Sequence, residues 1–117
     1  MLIDLPKLNS GEVYAGTIVP PNENPYHLIL LPGEVIGKNY YDICAWVTSV
    51  GGELPGIVDA AMLCRYLANE FRNDWYATKV VSENSGLALY QHFFDLRQIY
   101  VNKLELYSAR AIRKEQI

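Results

Sequence analysis

Residues that could perform acid–base or nucleophilic chemistry are few in this chain and show no catalytic spacing. The two histidines, His27 and His92, fall in separate predicted strands, and neither lies near a Gly-x-Ser-x-Gly or similar nucleophile motif. Because a serine or cysteine nucleophile needs a base held beside it, nucleophilic catalysis is not predicted. Carboxylates could act as a pair if two shared a cleft, although such side chains usually lie on the solvated surface. The candidates for such a pair are Glu53, Asp59, Glu70, Asp74 and Asp95.

Phosphate-binding and metal-binding motifs are also missing from the sequence. Gly51 and Gly52 follow a predicted helix, whereas a phosphate loop joins a strand to a helix. Cys44 and Cys64 each fall inside a predicted amphipathic helix, without a Cys-x-x-Cys pair or a nearby histidine. We expect two buried free thiols, no metal and no cofactor, and we predict that the protein is not an enzyme.

The charge pattern and the hydropathy pattern exclude two classes of partner. Ten basic and thirteen acidic residues are interleaved and give a net charge of −3. Basic residues concentrate only at Arg110, Arg113 and Lys114, too few for a surface that neutralises phosphates. The first residues lack the apolar stretch of a signal peptide, and the aliphatic run at residues 28–31 is too short to span a bilayer. We expect no nucleic-acid partner, no membrane association and a location in the cytoplasm.

Tyrosine is the residue type that favours a binding function. The chain has nine tyrosines, and this side chain supplies recognition surfaces with a broad apolar face, a polar tip and little entropy to lose. Packing in the core is the alternative, and because strand side chains alternate between faces, about half of them should point inward. The same ambiguity applies to His92, which alternates with Tyr90 and Phe94 along one predicted strand. Five tyrosines lie in the second half of the chain: Tyr66, Tyr76, Tyr90, Tyr100 and Tyr107.

The first half of the chain predicts a hairpin followed by a helix. Strand-forming residues at 13–18 and 26–31 are separated by a segment rich in proline and asparagine. Asn39 stands at the N-cap position of a helix over residues 40–50, whose apolar residues recur at i, i+3, i+4 and i+7. Gly51 is free to take the left-handed conformation that ends such a helix.

The second half predicts one more helix and a small antiparallel sheet. A helical pattern capped by Gly56 continues to about Phe71, and beyond it the hydrophobic period changes to two. The tail at residues 114–117 is expected to fray. The whole chain, residues 1–117, is therefore predicted to be a single α+β domain. The predicted strands of the sheet are residues 75–78, 87–94, 99–101 and 108–113.

Seven short segments occur in the order and at the approximate spacing of one known family. Over nearly all its length the chain resembles the Lcl C-terminal-like domains that bacteriophages often encode. The resemblance implies a reduced C-type-lectin-like fold, related to formylglycine-generating enzymes and to the variable receptor-binding proteins of phage diversity-generating systems. The segments are Gly-Glu-Val-Tyr-Ala-Gly at 11–16, Tyr-His-Leu-Ile-Leu-Leu-Pro-Gly-Glu at 26–34, Gly-Gly-Glu-Leu-Pro at 51–55, Ala-Met-Leu at 61–63, Asp-Trp-Tyr at 74–76, Tyr-Gln-His-Phe at 90–93 and Ala-Arg-Ala-Ile-Arg at 109–113.

The chain lacks the functional motifs of the better-known branches of that fold. The enzyme branch depends on a late cysteine, and no cysteine follows Cys64. The Glu-Pro-Asn and Trp-Asn-Asp triplets of calcium-dependent lectins are absent. Residues 73–75, Asn-Asp-Trp, contain the residues of the second triplet in a different order. Neither the enzymatic activity nor calcium-dependent sugar binding is therefore carried over from the resemblance.

Three further departures from the family have physical consequences. Gly56 replaces a side-chain helix cap, which weakens the cap by a few tenths of a kcal/mol. Ala77 and Leu89 replace two tryptophans. If these positions face inward, other side chains must fill the lost volume, since a cavity would destabilise the fold. If they face outward, the binding surface has changed. In the turn after Asp95, Leu96 and Arg97 stand where glycine and an aromatic residue are common, which disfavours a turn with positive φ.

Four functions are compatible with these features. The first is a phage-derived binding module for a protein partner, either a host factor inhibited during infection or a virion component. The second is a self-assembling subunit that associates through Ile99, Val101 and Leu104. The third is a carbohydrate-binding or small-molecule-binding domain, and the fourth is an enzyme that pairs His92 with a carboxylate. For the first function the predicted site is Tyr76, Tyr90, His92, Arg97, Tyr100 and Lys103, on the strands and turns of the C-terminal sheet.

Overall fold

The computed structural model describes residues 4–83 and 86–117 and confirms an α+β architecture. Within these residues eight strands form two sheets, and two α-helices pack against them. The elements in chain order are β1 (Val13–Ile18), β2 (Tyr26–Leu30), β3 (Val35–Lys38), α1 (Tyr40–Ser49), α2 (Ile57–Tyr66), a 3₁₀ turn (Ala68–Glu70), β4 (Trp75–Val81), β5 (Leu87–His92), β6 (Gln98–Asn102), β7 (Tyr107–Ala109) and β8 (Ile112–Gln116).

The smaller sheet has the strand order β1-β2-β8 and is antiparallel throughout. The predicted hairpin is confirmed, since β2 pairs with β1 from Tyr26 opposite Ile18 to Leu30 opposite Val13. The expectation that the tail frays is wrong for residues 114–116, which belong to β8. These residues are ordered because β8 supplies the second hydrogen-bonding partner that the buried strand β2 requires.

The larger sheet has the strand order β3-β7-β4-β5-β6. Strands β4, β5 and β6 form the expected antiparallel unit, but β3 comes from the first half of the chain and β4 pairs with β7 in parallel. The predicted strand 108–113 is two strands in different sheets. The break falls at Arg110, which is buried and whose guanidinium donates to the carbonyls of Leu31 and Glu70 at 3.0 and 2.6 Å.

Helix α1 begins and ends as the sequence predicts. The Asn39 side chain accepts a hydrogen bond from the Asp42 amide at 2.9 Å, and Gly51 follows the helix with φ of 74°. Ile43 and Val47 pack into one of the two hydrophobic cores. Cys44 lies on the outer face, so the expectation of a buried thiol is wrong for this residue, whereas Cys64 is buried.

Helix α2 begins after Gly56 as predicted but ends at Tyr66, earlier than expected. A 3₁₀ turn follows it and brings Phe71 onto the ring of Phe93, with a distance of 4.1 Å between the ring centroids. Because the turn keeps Phe71 facing the core, the apolar periodicity continues past the end of the helix. Gly56 provides no side-chain acceptor for the helix amides, and its own N–H donates to Asp59 at 2.9 Å.

The positions that lack the tryptophans of the resembled family both face inward. Ala77 and Leu89 are buried. Ala77 packs in the same core cluster as Tyr40, Tyr90 and Tyr107. These two positions therefore belong to the interior of this protein, not to a binding surface.

Candidate functional site

Two of the six predicted site residues lie in the core, so their assignment to a binding surface is wrong. Tyr76 and Tyr90 are 1% and 0% exposed, because β4 and β5 are interior strands of the larger sheet. The Tyr76 hydroxyl donates to Glu34 and accepts from the Arg72 amide, and burial raises the pKa of this phenol. Burial also raises the pKa of Tyr90, whose ring lies 5.2 Å from that of Tyr107.

His92 supports the turn between β5 and β6 from inside. It is 8% exposed, and its ring meets the edge of the Trp75 ring with a centroid distance of 5.0 Å. Its Nδ1 atom accepts from the Phe94 amide at 3.3 Å and lies 3.3 Å from an Asp95 carboxylate oxygen. The burial of the ring and these contacts with the turn backbone place His92 inside the turn, so it does not belong to an exposed binding surface.

The same turn displays Arg97 at the surface. The Asp95 carboxylate accepts from the Arg97 side chain at 2.6 Å and from its amide at 3.2 Å. Partial desolvation opposes ionisation of Asp95, but these hydrogen bonds outweigh it and hold the pKa of the carboxyl below its usual value. The guanidinium lies 5.3 Å from the centroid of the Trp75 ring, a cation–π contact. Arg97 is thus exposed but fixed in position.

The expectation that Leu96 disfavours a positive-φ turn fails, because Leu96 has φ of 66°. Its amide donates to the His92 carbonyl at 2.9 Å, and the His92 amide donates to the Arg97 carbonyl at 2.8 Å. These bonds hold a leucine in the left-handed region, at a cost of about 1–2 kcal/mol. The side chain of Leu96 is exposed, as is that of the neighbouring Phe94.

Strand β6 follows this turn and lies at the end of the larger sheet, with β5 as its one neighbour among the described strands. Along an antiparallel ladder, residue pairs that share backbone hydrogen bonds alternate with pairs that do not. The His92 amide bonds to the Arg97 carbonyl and the Lys103 amide bonds to the Gly86 carbonyl, and these two bonds show which residues of β6 face β5. The N–H and C=O groups of Gln98 and Tyr100 therefore point away from β5. Among the described residues, no group outside the sheet bonds to them.

The side chains of β6 and its flanking turns are unusually apolar for a sheet edge. Tyr100 is 51% exposed, and Lys103 lies 5.7 Å from the centroid of the Tyr40 ring at the far end. Ile99 and Leu104 are exposed as the self-assembly hypothesis requires, but Val101 is buried. We name this region the β6 edge surface; it consists of Phe94, Leu96, Arg97, Ile99, Tyr100, Lys103, Leu104 and Leu106.

Sequence reasoning missed three members of this surface, Phe94, Leu96 and Leu106. It selected residues with polar tips, whereas these three are apolar residues in turns. One signal was present in the sequence: Phe93 and Phe94 are adjacent aromatic residues, and two neighbouring large side chains seldom both fit inside the core. Phe93 is buried and Phe94 is 78% exposed.

Neither a metal centre nor a membrane span is found in the part of the chain that the structure describes. Across residues 4–83 and 86–117, no three His, Cys, Asp or Glu side chains are placed to hold a metal ion. No helix within those residues is long and apolar enough to cross a membrane. No family model, curated protein or solved structure matches the chain.

Proposed function

We propose that this protein is a non-enzymatic binding module that recognises a protein partner through the β6 edge surface. The observation that carries the proposal is an edge strand whose outward backbone groups have no partner among the described residues, while its flanking turns expose apolar side chains. Such an edge is a template for an extended segment of another chain. The added strand would bond to the N–H and C=O groups of Gln98 and Tyr100.

The backbone groups and the side chains of this surface contribute differently to recognition. In strand addition, backbone hydrogen bonds supply affinity and side-chain contacts on alternate positions supply specificity. Tyr100 lies at the middle of β6, between apolar turns that begin at Phe94 and end at Leu106. Central aromatic residues carry a large share of the energy in most interfaces, so Tyr100 is the expected anchor.

A partner strand from another protein fits this edge better than a second copy of the chain. In an antiparallel β6–β6 pair centred on Tyr100, Arg97 would stand opposite Lys103 of the other copy. Like charges directly opposite each other destabilise a strand pair. Self-assembly therefore remains the second candidate, supported by the exposure of Ile99 and Leu104.

The resemblance to phage-encoded domains supports a particular setting for this activity. In that setting the partner is a host protein that is blocked in the cytoplasm of an infected cell, or a neighbouring component of the virion. Either partner would have to offer an extended segment, and either would use the same β6 edge surface.

The experiment that tests the proposal is an affinity capture from host-cell lysate and from purified virions with four forms of the protein, the wild type and three variants. Tyr100→Ala removes the ring but keeps the N–H group, and we expect it to weaken capture at least about 10-fold. Tyr100→Pro removes the outward N–H without removing a bond to β5, and we expect it to abolish capture that depends on strand addition.

Tyr66→Ala is the matched control, because Tyr66 is an exposed tyrosine on α2 and not on β6. We expect this variant to retain capture, and all variants must keep the wild-type circular dichroism spectrum. Equal capture by wild type and by both Tyr100 variants would refute the site. A concentration-dependent dimer that Tyr100→Pro dissociates, without a captured partner, would favour self-assembly.

A further inference from the structure

A second recessed surface lies away from β6, beside the smaller sheet. It is a cavity of about 450 Å³, bounded by the segment after β1, the first turn of α2 and the end of β4. This volume falls within the range of small-molecule sites. The cavity does not include any residue of the β6 edge surface, so a ligand bound there would leave that surface free.

The walls of this cavity are largely aliphatic. Ile18, Pro21 and Val80 line it together with Ile57 and Val58 from the first turn of α2. Ile57 and Val58 are 47% and 63% exposed, which is unusual for two adjacent aliphatic residues. Covering them with an apolar ligand would remove their side chains from water, at roughly 25 cal/mol per Å² of buried apolar area.

The floor of the cavity is polar, and its carboxylate already has partners within the protein. The Tyr26 hydroxyl donates to Asp59 at 2.5 Å, the Gly56 amide donates to the same carboxylate, and the Lys114 ammonium lies 3.7 Å from it. Lys114 also lies 3.5 Å from a Glu53 oxygen. Asp59 is therefore held by two hydrogen-bond donors and by a lysine that it shares with Glu53.

One lysine that lines the cavity forms no ion pair with the described residues. The Lys79 ammonium has no carboxylate within ion-pair distance in the described part of the chain. The Lys79 side chain lies close to the start of α2. A Cβ atom added to Gly56 would be only 3.1 Å from the Lys79 Cε atom. Gly56 also leaves the first amides of α2 without a side-chain acceptor. The lysine charge and these amides favour an anion at the same end of the cavity. Glu23 also lines the cavity, where it is exposed to solvent.

We propose that this cavity binds a small aliphatic carboxylate. The alkyl chain would lie against Ile18, Ile57, Val58 and Val80, and the carboxylate would meet the Lys79 ammonium. An aliphatic alcohol fits the walls equally well but lacks the charge, so the lysine discriminates against it. This site is independent of the β6 edge surface and of any protein partner.

The test is a titration with octanoate, followed through the backbone amide resonances of the ¹⁵N-labelled protein. We expect saturable shifts at Gly56, Ile57, Val58 and Val80, and weaker binding of 1-octanol. Lys79→Met keeps the length of the side chain and removes its charge, so it should weaken octanoate binding by about 2- to 5-fold and leave 1-octanol unaffected.

Lys38→Met is the matched control, since Lys38 is also an exposed lysine without an ion pair among the described residues but does not line the cavity. We expect this variant to bind octanoate as the wild type does. Equal affinity for octanoate and 1-octanol in the wild type would overturn the proposal, as would shifts that avoid α2 or an absence of saturable shifts.

Discussion

Strands β2 and β6 are both five residues long, yet they occupy opposite extremes of exposure. All five residues of β2 are buried. The strand has β1 on one side and β8 on the other, and it shares a core cluster with residues of α2. In β6 only Val101 is buried, and one side of the strand has no neighbour among the described residues. The difference separates the part of the molecule that holds the fold together from the part that is available to a partner.

This separation follows from position in the sheet more than from strand-forming propensity. Tyr-His-Leu-Ile-Leu in β2 and Gln-Ile-Tyr-Val-Asn in β6 are both rich in residues that favour strands. Substitutions in β2 and its neighbours should therefore change the free energy of unfolding. Substitutions in β6 should instead change partner binding.

The largest effect is expected from truncation in the middle of the smaller sheet. Leu30→Ala removes a side chain that is 0% exposed and belongs to the core cluster beneath α2. Lost burial and the residual cavity should lower the free energy of unfolding by about 2–5 kcal/mol. Urea denaturation followed by circular dichroism measures this change. Ile99→Ala in β6 is the control, and a comparable loss there would remove the distinction between the two strands.

The next effect concerns the ion pair that joins the segment before β1 to β8. The Arg113 guanidinium donates to both Glu12 oxygens at 2.9 Å, and the Glu12 side chain is only 4% exposed. Hydrogen bonds from Arg113 outweigh desolvation and lower the pKa of Glu12 from 4.5 to about 2. Because the folded pKa lies below the unfolded one, this carboxylate stabilises the fold above pH 4.5 and loses that contribution as the pH falls to about 2.

Glu12→Gln should therefore cost up to about 3 kcal/mol of unfolding free energy at neutral pH. The difference from wild type should shrink steadily through the acid range. Denaturation curves at a series of pH values measure it. A difference that stays constant down to the lowest pH would show that the ionisation of Glu12 does not contribute to stability.

A smaller effect of opposite sign is expected at the turn before β6. Leu96→Gly relieves the left-handed strain at φ of 66°, although glycine loses more entropy on folding. The net result should be a gain of up to about 1 kcal/mol in unfolding free energy. Thermal denaturation measures it, with Leu104→Gly as a control at another exposed leucine. A loss of stability in Leu96→Gly would show that the strain is not relieved.

Much of this architecture is predictable from the sequence, because local signals and burial agree. The hairpin, the Asn39 cap and the Gly51 helix end all follow from residue type and spacing. Strand β3 was missed because it is four residues long and mostly exposed. The break at Arg110 was missed because its cause is long-range: the guanidinium bonds to carbonyls far away in the chain.

The candidate site was only partly predictable for a related reason. Of the predicted residues, Arg97, Tyr100 and Lys103 lie on the β6 edge surface, whereas Tyr76 and Tyr90 are in the core. Alternation along a strand shows that some tyrosines point inward, but it does not show which strands lie inside the sheet. That information depends on the strand order, which pairs β4 with β7 across a long stretch of chain.

The smallest effect on stability, and the strongest test of the comparison, is expected at Tyr100. Tyr100→Ala should change the free energy of unfolding by no more than about 0.5 kcal/mol, because its half-exposed ring supports no core cluster. The same substitution should weaken partner capture at least about 10-fold. Urea denaturation and capture measured on one preparation separate these effects. A variant that binds normally but unfolds easily would make β6 part of the stable framework, and β2 and β6 would then differ only in exposure.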